Sequence, residues 1–210
     1  MAKKKSVKSK PIIYKFRIDL LDTSPSVWRE VLVPSSFTLD EFHYVIQAAM
    51  GWQDAHLYDF EIGKIRFSEP TEYDDGLEIK SPHGLLSSAL KDAKKFFYNY
   101  DFGDSWRHEI TVLEILEAED YIQYPVCVGG ENACPPEDCG GTPGYEELKR
   151  KIADPKNKER IELLRWVGGY FNPFSFDANL INREFLWSHE WDAKTVIGSV
   201  EDFPSLRPRR

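Results

Sequence analysis

From Ile12 to Leu20 the chain alternates: Ile12, Tyr14, Phe16, Ile18 and Leu20 fall on one face, Ile13, Lys15, Arg17 and Asp19 on the other. A period of two marks a half-buried strand. Asp22-Thr23-Ser24-Pro25 turns the chain, and Val27 to Val33 is a second β-rich run stopped by Pro34, so the pair reads as a hairpin. The period then changes. Thr38, with Glu41 three residues on, forms a capping box, and Phe37 and Phe42 occupy the staple positions. Leu39, Phe42, Ile46, Ala49 and Met50 recur on one helical face as far as Gly51, which predicts an amphipathic helix packed on the sheet.

Leu57 to Ile62 alternates again and predicts a strand. Phe67 to Lys80 is acidic and turn-rich, the pattern of a surface loop, and Leu85 to Ala93 predicts a short helix. Phe96–Tyr100 and Arg107–Leu116 read as strands joined through an Asp101-Phe102-Gly103-Asp104 turn, with Gly103 as its left-handed residue. In the second of them His108, Ile110 and Val112 share a face. Residues 127–141 read as a cysteine loop. Beyond it, Thr142-Pro143 opens a helix with the stripe Tyr145, Leu148 and Ile152, ended by Pro155. Asn157 caps a further helix to Val167, and the aromatic run from Tyr170 to Phe203 reads as irregular chain wrapping back over the core. Together these predict a single α+β domain over residues 12–203, with an antiparallel or mixed sheet, one long packed helix and a helical C-terminal third.

Composition adds constraints. Of 210 residues, 41% are apolar and 14% aromatic, enough for a sizeable core. Net charge is −8, but a basic arm (residues 1–11, with Lys3, Lys4, Lys5, Lys8 and Lys10) and a basic tail (204–210, with Arg207, Arg209 and Arg210) are both free of acid. The body between them therefore carries about −16. Such a surface repels a phosphate backbone and leaves the tails as the place for weak nucleic-acid contact. Three cysteines is an odd count, and no apolar segment resembles a signal peptide or a membrane span. That predicts a cytoplasmic protein with reduced thiols and no membrane partner.

Two constellations carry candidate chemistry. Cys127-x6-Cys134-x4-Cys139 offers three thiols within thirteen residues, and zinc takes four N or S ligands in a tetrahedron. His108 is the natural fourth ligand and His56 the second choice; a four-ligand site of that kind is closed and structural. The second set is Asp101, Asp104, His108 and Glu109, with Glu137 and Asp138 opposite if the cysteine loop folds over the turn. Those oxygens suit a hard cation, and a His–carboxylate pair suits general acid–base work. Asp residues in such a turn more often accept backbone N–H bonds. Trp28, Trp52, Tyr58, Tyr100, Trp106, Tyr145, Trp166, Trp187 and Trp191 could line a groove, although rings at these spacings are more often core.

Tyr100-Asp101-Phe102-Gly103-Asp104-Ser105-Trp106 with His108, followed by Cys134-Pro135-Pro136-Glu137-Asp138-Cys139-Gly140-Gly141 with Gly144-Tyr145, resembles the plasmid pRiA4b ORF-3-like family. The opening strands, the helix ending Gly51-Trp52 and His56-Leu57 agree with it, so the resemblance spans roughly residues 12–190. It implies a compact α+β fold, an association with mobile elements through relatives labelled as transposon passenger proteins, and no established activity. A serine recombinase needs a nucleophilic Ser among arginines, an arrangement this sequence lacks. The expectation is therefore a binding or accessory domain whose cysteine loop holds zinc. The alternative is a divalent-metal-dependent hydrolase or nuclease-like enzyme using Asp101, Asp104, His108 and Glu109.

Overall fold

A computed structural model describes residues 10–69 and 78–187. The basic tail, most of the basic arm, the centre of the acidic 67–80 stretch, the Trp187 side chain and Trp191 lie outside the described residues. The hairpin forms as the alternation requires: β1 (Ile12–Leu20) pairs antiparallel with β2 (Val27–Pro34), Leu20 opposite Val27. The other edge of β1 takes β7 (Trp106–Glu117), which pairs with β6 (Lys95–Tyr100), and β6 pairs with β3 (Tyr58–Ile62). Next come β4 (Ile65–Phe67) and, parallel to it, β5 (Glu78–Lys80). With β8 (Val126–Glu131) outside β2, the result is one mixed eight-stranded sheet in the order β5-β4-β3-β6-β7-β1-β2-β8.

Five helices complete the described chain: α1 (Leu39–Met50), α2 (Leu86–Leu90), α3 (Gly141–Ala153), α4 (Arg160–Trp166) and α5 (Ala178–Trp187). The α1 capping box is present in both directions, Glu41 N–H donating to Thr38 Oγ1 at 3.0 Å and Thr38 N–H to Glu41 Oε2 at 2.6 Å. Gly51 ends the helix in the left-handed region, as its sequence position predicts. Phe16, Phe42, Phe60 and Phe96 meet between α1 and the sheet with centroids 4.7 to 6.4 Å apart. The opposite sheet face is half-buried and charged, crossed by Lys15–Glu30, Arg17–Asp19, Lys95–Glu109 and Arg107–Glu61 pairs. α1 and α3 have 12 and 13 residues, so the packed helix is one of two of similar length.

Several elements depart from the sequence pattern. Residues 126–131 form an edge strand rather than a loop. Gly130 permits close packing, since a Cβ there would fall inside van der Waals contact with the Phe176 ring. Ile65–Phe67 and Glu78–Lys80 are strands too short to show a period. Ile13 faces away from the main core but is buried in a second cluster with Ala118 and Tyr124. Within the run read as irregular, Asp177 accepts the Asn179 N–H at 2.8 Å and starts α5.

α5 also protects the sheet edge. Asn182 Oδ1 accepts the Cys127 N–H at 2.7 Å, and its Nδ2 donates to the Cys127 carbonyl at 3.0 Å, so one side chain stands in for a ninth strand. Removing it leaves a buried donor and acceptor unpaired. Asn182→Ala is expected to cost about 1–3 kcal/mol, measured by urea unfolding. An unchanged midpoint would mean that water satisfies Cys127 equally well.

Candidate functional site

β6 and β7 meet at a tight turn whose left-handed residues are Asp101 (φ 54°) and Ser105 (φ 59°); Gly103 is not among them. Aspartate tolerates this region because its short side chain bonds locally. Here Asp101 Oδ1 accepts N–H bonds from Gly103 (2.9 Å) and Asp104 (3.2 Å). The same carboxylate is more than nine-tenths buried. Its second oxygen receives no hydrogen bond from the described residues and lies 3.6 Å from His56 Nε2.

The segment after β8 folds over this turn. Its start is tied down by Arg29, which occupies a core-facing position of β2 and is 4% exposed. Arg29 Nε donates to the Ala49 carbonyl at the end of α1. Its Nη groups donate to the carbonyls of Trp28, Glu131 and Asn132 and to Cys134 Sγ, all at 2.7–3.1 Å. The middle is held by Trp52 Nε1 on the Pro135 carbonyl (2.9 Å) and by Glu137, which accepts the Gln53 N–H (3.0 Å) and the Tyr100 hydroxyl. At the far end the Gly140 N–H donates to Asp104 Oδ2 (3.0 Å), and Gly141, at φ 65°, lies where a Cβ would come 2.6 Å from the Asp104 carbonyl oxygen.

His56 reaches the seam on the segment linking α1 to β3. Four consecutive N–H groups there are anchored: Trp52 on the Gln47 carbonyl, Gln53 on Glu137, Asp54 on Gln47 Oε1 and Ala55 on the Tyr100 hydroxyl. His56 Nε2 then lies 3.0 Å from Asp138 Oδ1 and 3.6 Å from Asp101 Oδ2. Ligand atoms of His56, Asp101 and Asp138 all fall within 4.8 Å of one another.

The expected zinc quartet is distributed differently. Among the described residues, Cys127, Cys134, Cys139 and His108 do not form a mutually close ligand set. Cys127 belongs to β8 with its Sγ 3.5 Å from the Gly129 carbonyl, Cys134 contacts Arg29 and Met50, and Cys139 faces the Gly141 carbonyl. Burial pushes all three thiols up, Cys134 to about 11 and Cys139 to about 12, so they are held neutral. His108 is fully buried between Tyr98 and Trp52 on the core face, and Glu109, its neighbour along the strand, pairs with Lys95 on the opposite face. The set Asp101, Asp104, His108 and Glu109 therefore does not converge, because adjacent strand residues point to opposite sides. His108 Nδ1 meets the Tyr98 carbonyl at 3.3 Å, while His108 Nε2 and Trp106 Nε1 have no hydrogen-bond partner among the described residues.

What the sequence pattern missed is the pairing of His56 with Asp138 and the part played by Arg29. Arg29 leaves one trace, an arginine at an inward position of the alternation Val27, Arg29, Val31, Val33. Of the candidate groove rings, Trp52, Tyr100, Trp106 and Tyr145 are core, whereas Trp28 lies under Arg17 and Trp166 is half exposed.

A family model described as plasmid pRiA4b ORF-3-like protein matches residues 12–180. An uncharacterized protein, y4hQ of Sinorhizobium fredii, is 38% identical over 159 residues, which cover 74% of this chain and 81% of that protein. A crystal structure of a protein of unknown function, MM3350 from Methanosarcina mazei Go1, is similar with a TM-score of 0.72 and 31% identity, covering 82% of this chain and 97% of that one.

Two outcomes follow from the geometry. Gly141→Ala forces a side chain into the left-handed region and against Asp104. It should destabilise by at least about 1 kcal/mol and open residues 134–141 to limited proteolysis; unchanged protease resistance would show that the close approach is not needed. Burial lowers the His108 pKa from 6.5 to about 4. The unfolded chain thus binds a proton at His108 in a pH range where the folded chain does not. That contribution is complete above pH 6.5 and falls as pH drops through the window to 4. Between pH 7 and pH 4 the stability difference between wild type and His108→Leu should shift by about 3 kcal/mol against wild type. A pH-independent difference would contradict it.

Proposed function

The chain belongs to the plasmid pRiA4b ORF-3-like family, and we propose that it serves as a cytoplasmic binding or accessory domain holding one divalent cation through His56, Asp101 and Asp138. The observation that carries this reading is that two carboxylate oxygens face a single imidazole nitrogen, at 3.0 and 3.6 Å. One N–H cannot satisfy both, whereas a cation bound to all three does. Ligand atoms around a tetrahedral ion with bonds of about 2.1 Å sit about 3.4 Å apart, and the two separations bracket that value.

Charge supports the same reading. Asp101, Asp104, Glu137 and Asp138 crowd the seam, and among the described residues no lysine or arginine pairs with any of them. One nitrogen with carboxylate oxygens suits a first-row divalent ion such as Zn²⁺ or Mn²⁺. Three protein ligands make an open site, in contrast to the closed thiol site expected from the cysteine spacing. Three free thiols fit a reducing compartment. Among the described residues no helix is long and apolar enough to cross a membrane. The plasmid in the family's description supports a setting on mobile DNA.

Chelator-stripped protein titrated with Zn²⁺ against a chromophoric competitor tests the reading. Wild type should take up one ion per chain, Asp101→Asn should bind at least about tenfold more weakly, and Cys134→Ser should bind as wild type. Uptake below about 0.2 ion per chain, against the near-stoichiometric load of a real site, would end the proposal. So would binding that follows Cys134 rather than Asp101.

A further inference from the structure

Two residues before His56, Asp54 stands in the left-handed region at φ 55°. Its conformation decides the direction in which the chain carries His56 towards the seam. Asp54 closes a ring of hydrogen bonds reaching into the core. Asp54 Oδ1 is 2.8 Å from His43 Nε2, His43 Nδ1 is 2.7 Å from the Tyr98 hydroxyl, Gln47 Nε2 donates to that hydroxyl at 3.0 Å, and Gln47 Oε1 accepts the Asp54 N–H at 2.9 Å.

The ring has one consistent assignment of protons. The Asp54 carboxylate can only accept, so His43 Nε2–H donates to it. With Nε2 as the donor, the neutral imidazole accepts at Nδ1 from the Tyr98 O–H, whose oxygen in turn accepts from Gln47. Each of the four contacts then pairs a donor with an acceptor. The imidazole is fully buried on α1 and stacked on the Tyr58 ring at 3.7 Å and 8°, and Tyr58 is itself tied to Asp40 by a 2.7 Å hydrogen bond. Rotation of the ring is therefore blocked, and the Asp54 carboxylate has a fixed point to hold.

We propose that His43 is a positioning residue for the cation site, acting through Asp54 to hold the His56 segment in register with Asp101 and Asp138. This rests on the cation reading above. The Tyr98 link fixes His43 in the core; the Asp54 link transmits that position to the seam. The two links leave from different nitrogens of one ring, so two amides separate them. A glutamine amide reaches where Nε2 was and can still donate to Asp54, whereas an asparagine amide reaches only where Nδ1 was and can still meet Tyr98.

The experiment measures Zn²⁺ affinity and melting temperature for wild type, His43→Phe, His43→Gln and His43→Asn. His43→Phe and His43→Asn should bind about 10–100-fold more weakly, and His43→Gln should recover most of that loss, even if all three variants melt lower. Equal weakening by the Gln and Asn variants, or wild-type affinity in His43→Phe despite a lower melting temperature, would leave His43 as a core residue only and overturn the inference while the cation reading stands. A wild type that binds no Zn²⁺ would overturn both.

Discussion

The seam depends on a buried guanidinium. Arg29 sits among core side chains, and among the described residues no carboxylate pairs with it. It is tolerated there because its N–H groups meet five acceptors: four backbone carbonyls and a sulfur. One of those carbonyls ends α1, where the helix dipole is negative, and two others begin the chain segment leaving β8. A single charge thus welds helix end, strand and loop together. A lysine, with three donors on a flexible stem, could not match that fork.

With its start fixed, the loop settles on the β6–β7 turn through a bare glycine and through acidic side chains. Gly141 allows the backbones to touch, Asp104 takes the Gly140 N–H, and Glu137 reaches under the loop to Tyr100 and Gln53. Docking brings carboxylates from two distant parts of the sequence together around the His56 imidazole, and among the described residues no lysine or arginine pairs with them. Such an arrangement favours a positive charge at the seam. The cation reading expresses that preference as a ligand set in which His56 supplies the nitrogen.

Much of the scaffold was legible because its signals are local. Alternation gave β1, β2, β3, β6 and β7, and Thr38, Glu41 and Gly51 marked both ends of α1. β8 was not legible, since Gly129-Gly130 reads as a turn unless Phe176 is known to need the space at Gly130. α5 lacked a visible stripe inside an aromatic run. The site was half legible: Asp101 and Asp138 stood out as acids that would meet if the loop folded over. His108 drew attention by its place in the motif, but strand parity sends it inward to a desolvated position and leaves His56, 45 residues before Asp101, as the imidazole at the seam. No spacing rule connects residues 56, 101 and 138, because only the tertiary docking does so.

The central claim is that one cation joins the loop, the turn and the α1–β3 segment. Anomalous diffraction at the zinc edge from crystals grown with Zn²⁺ addresses it most directly. The account predicts one strong peak within about 2.0–2.2 Å of His56 Nε2, Asp101 Oδ2 and Asp138 Oδ1, with water in the remaining position. A peak on Cys127, Cys134 or Cys139 instead, or an unoccupied seam at saturating Zn²⁺, would contradict it.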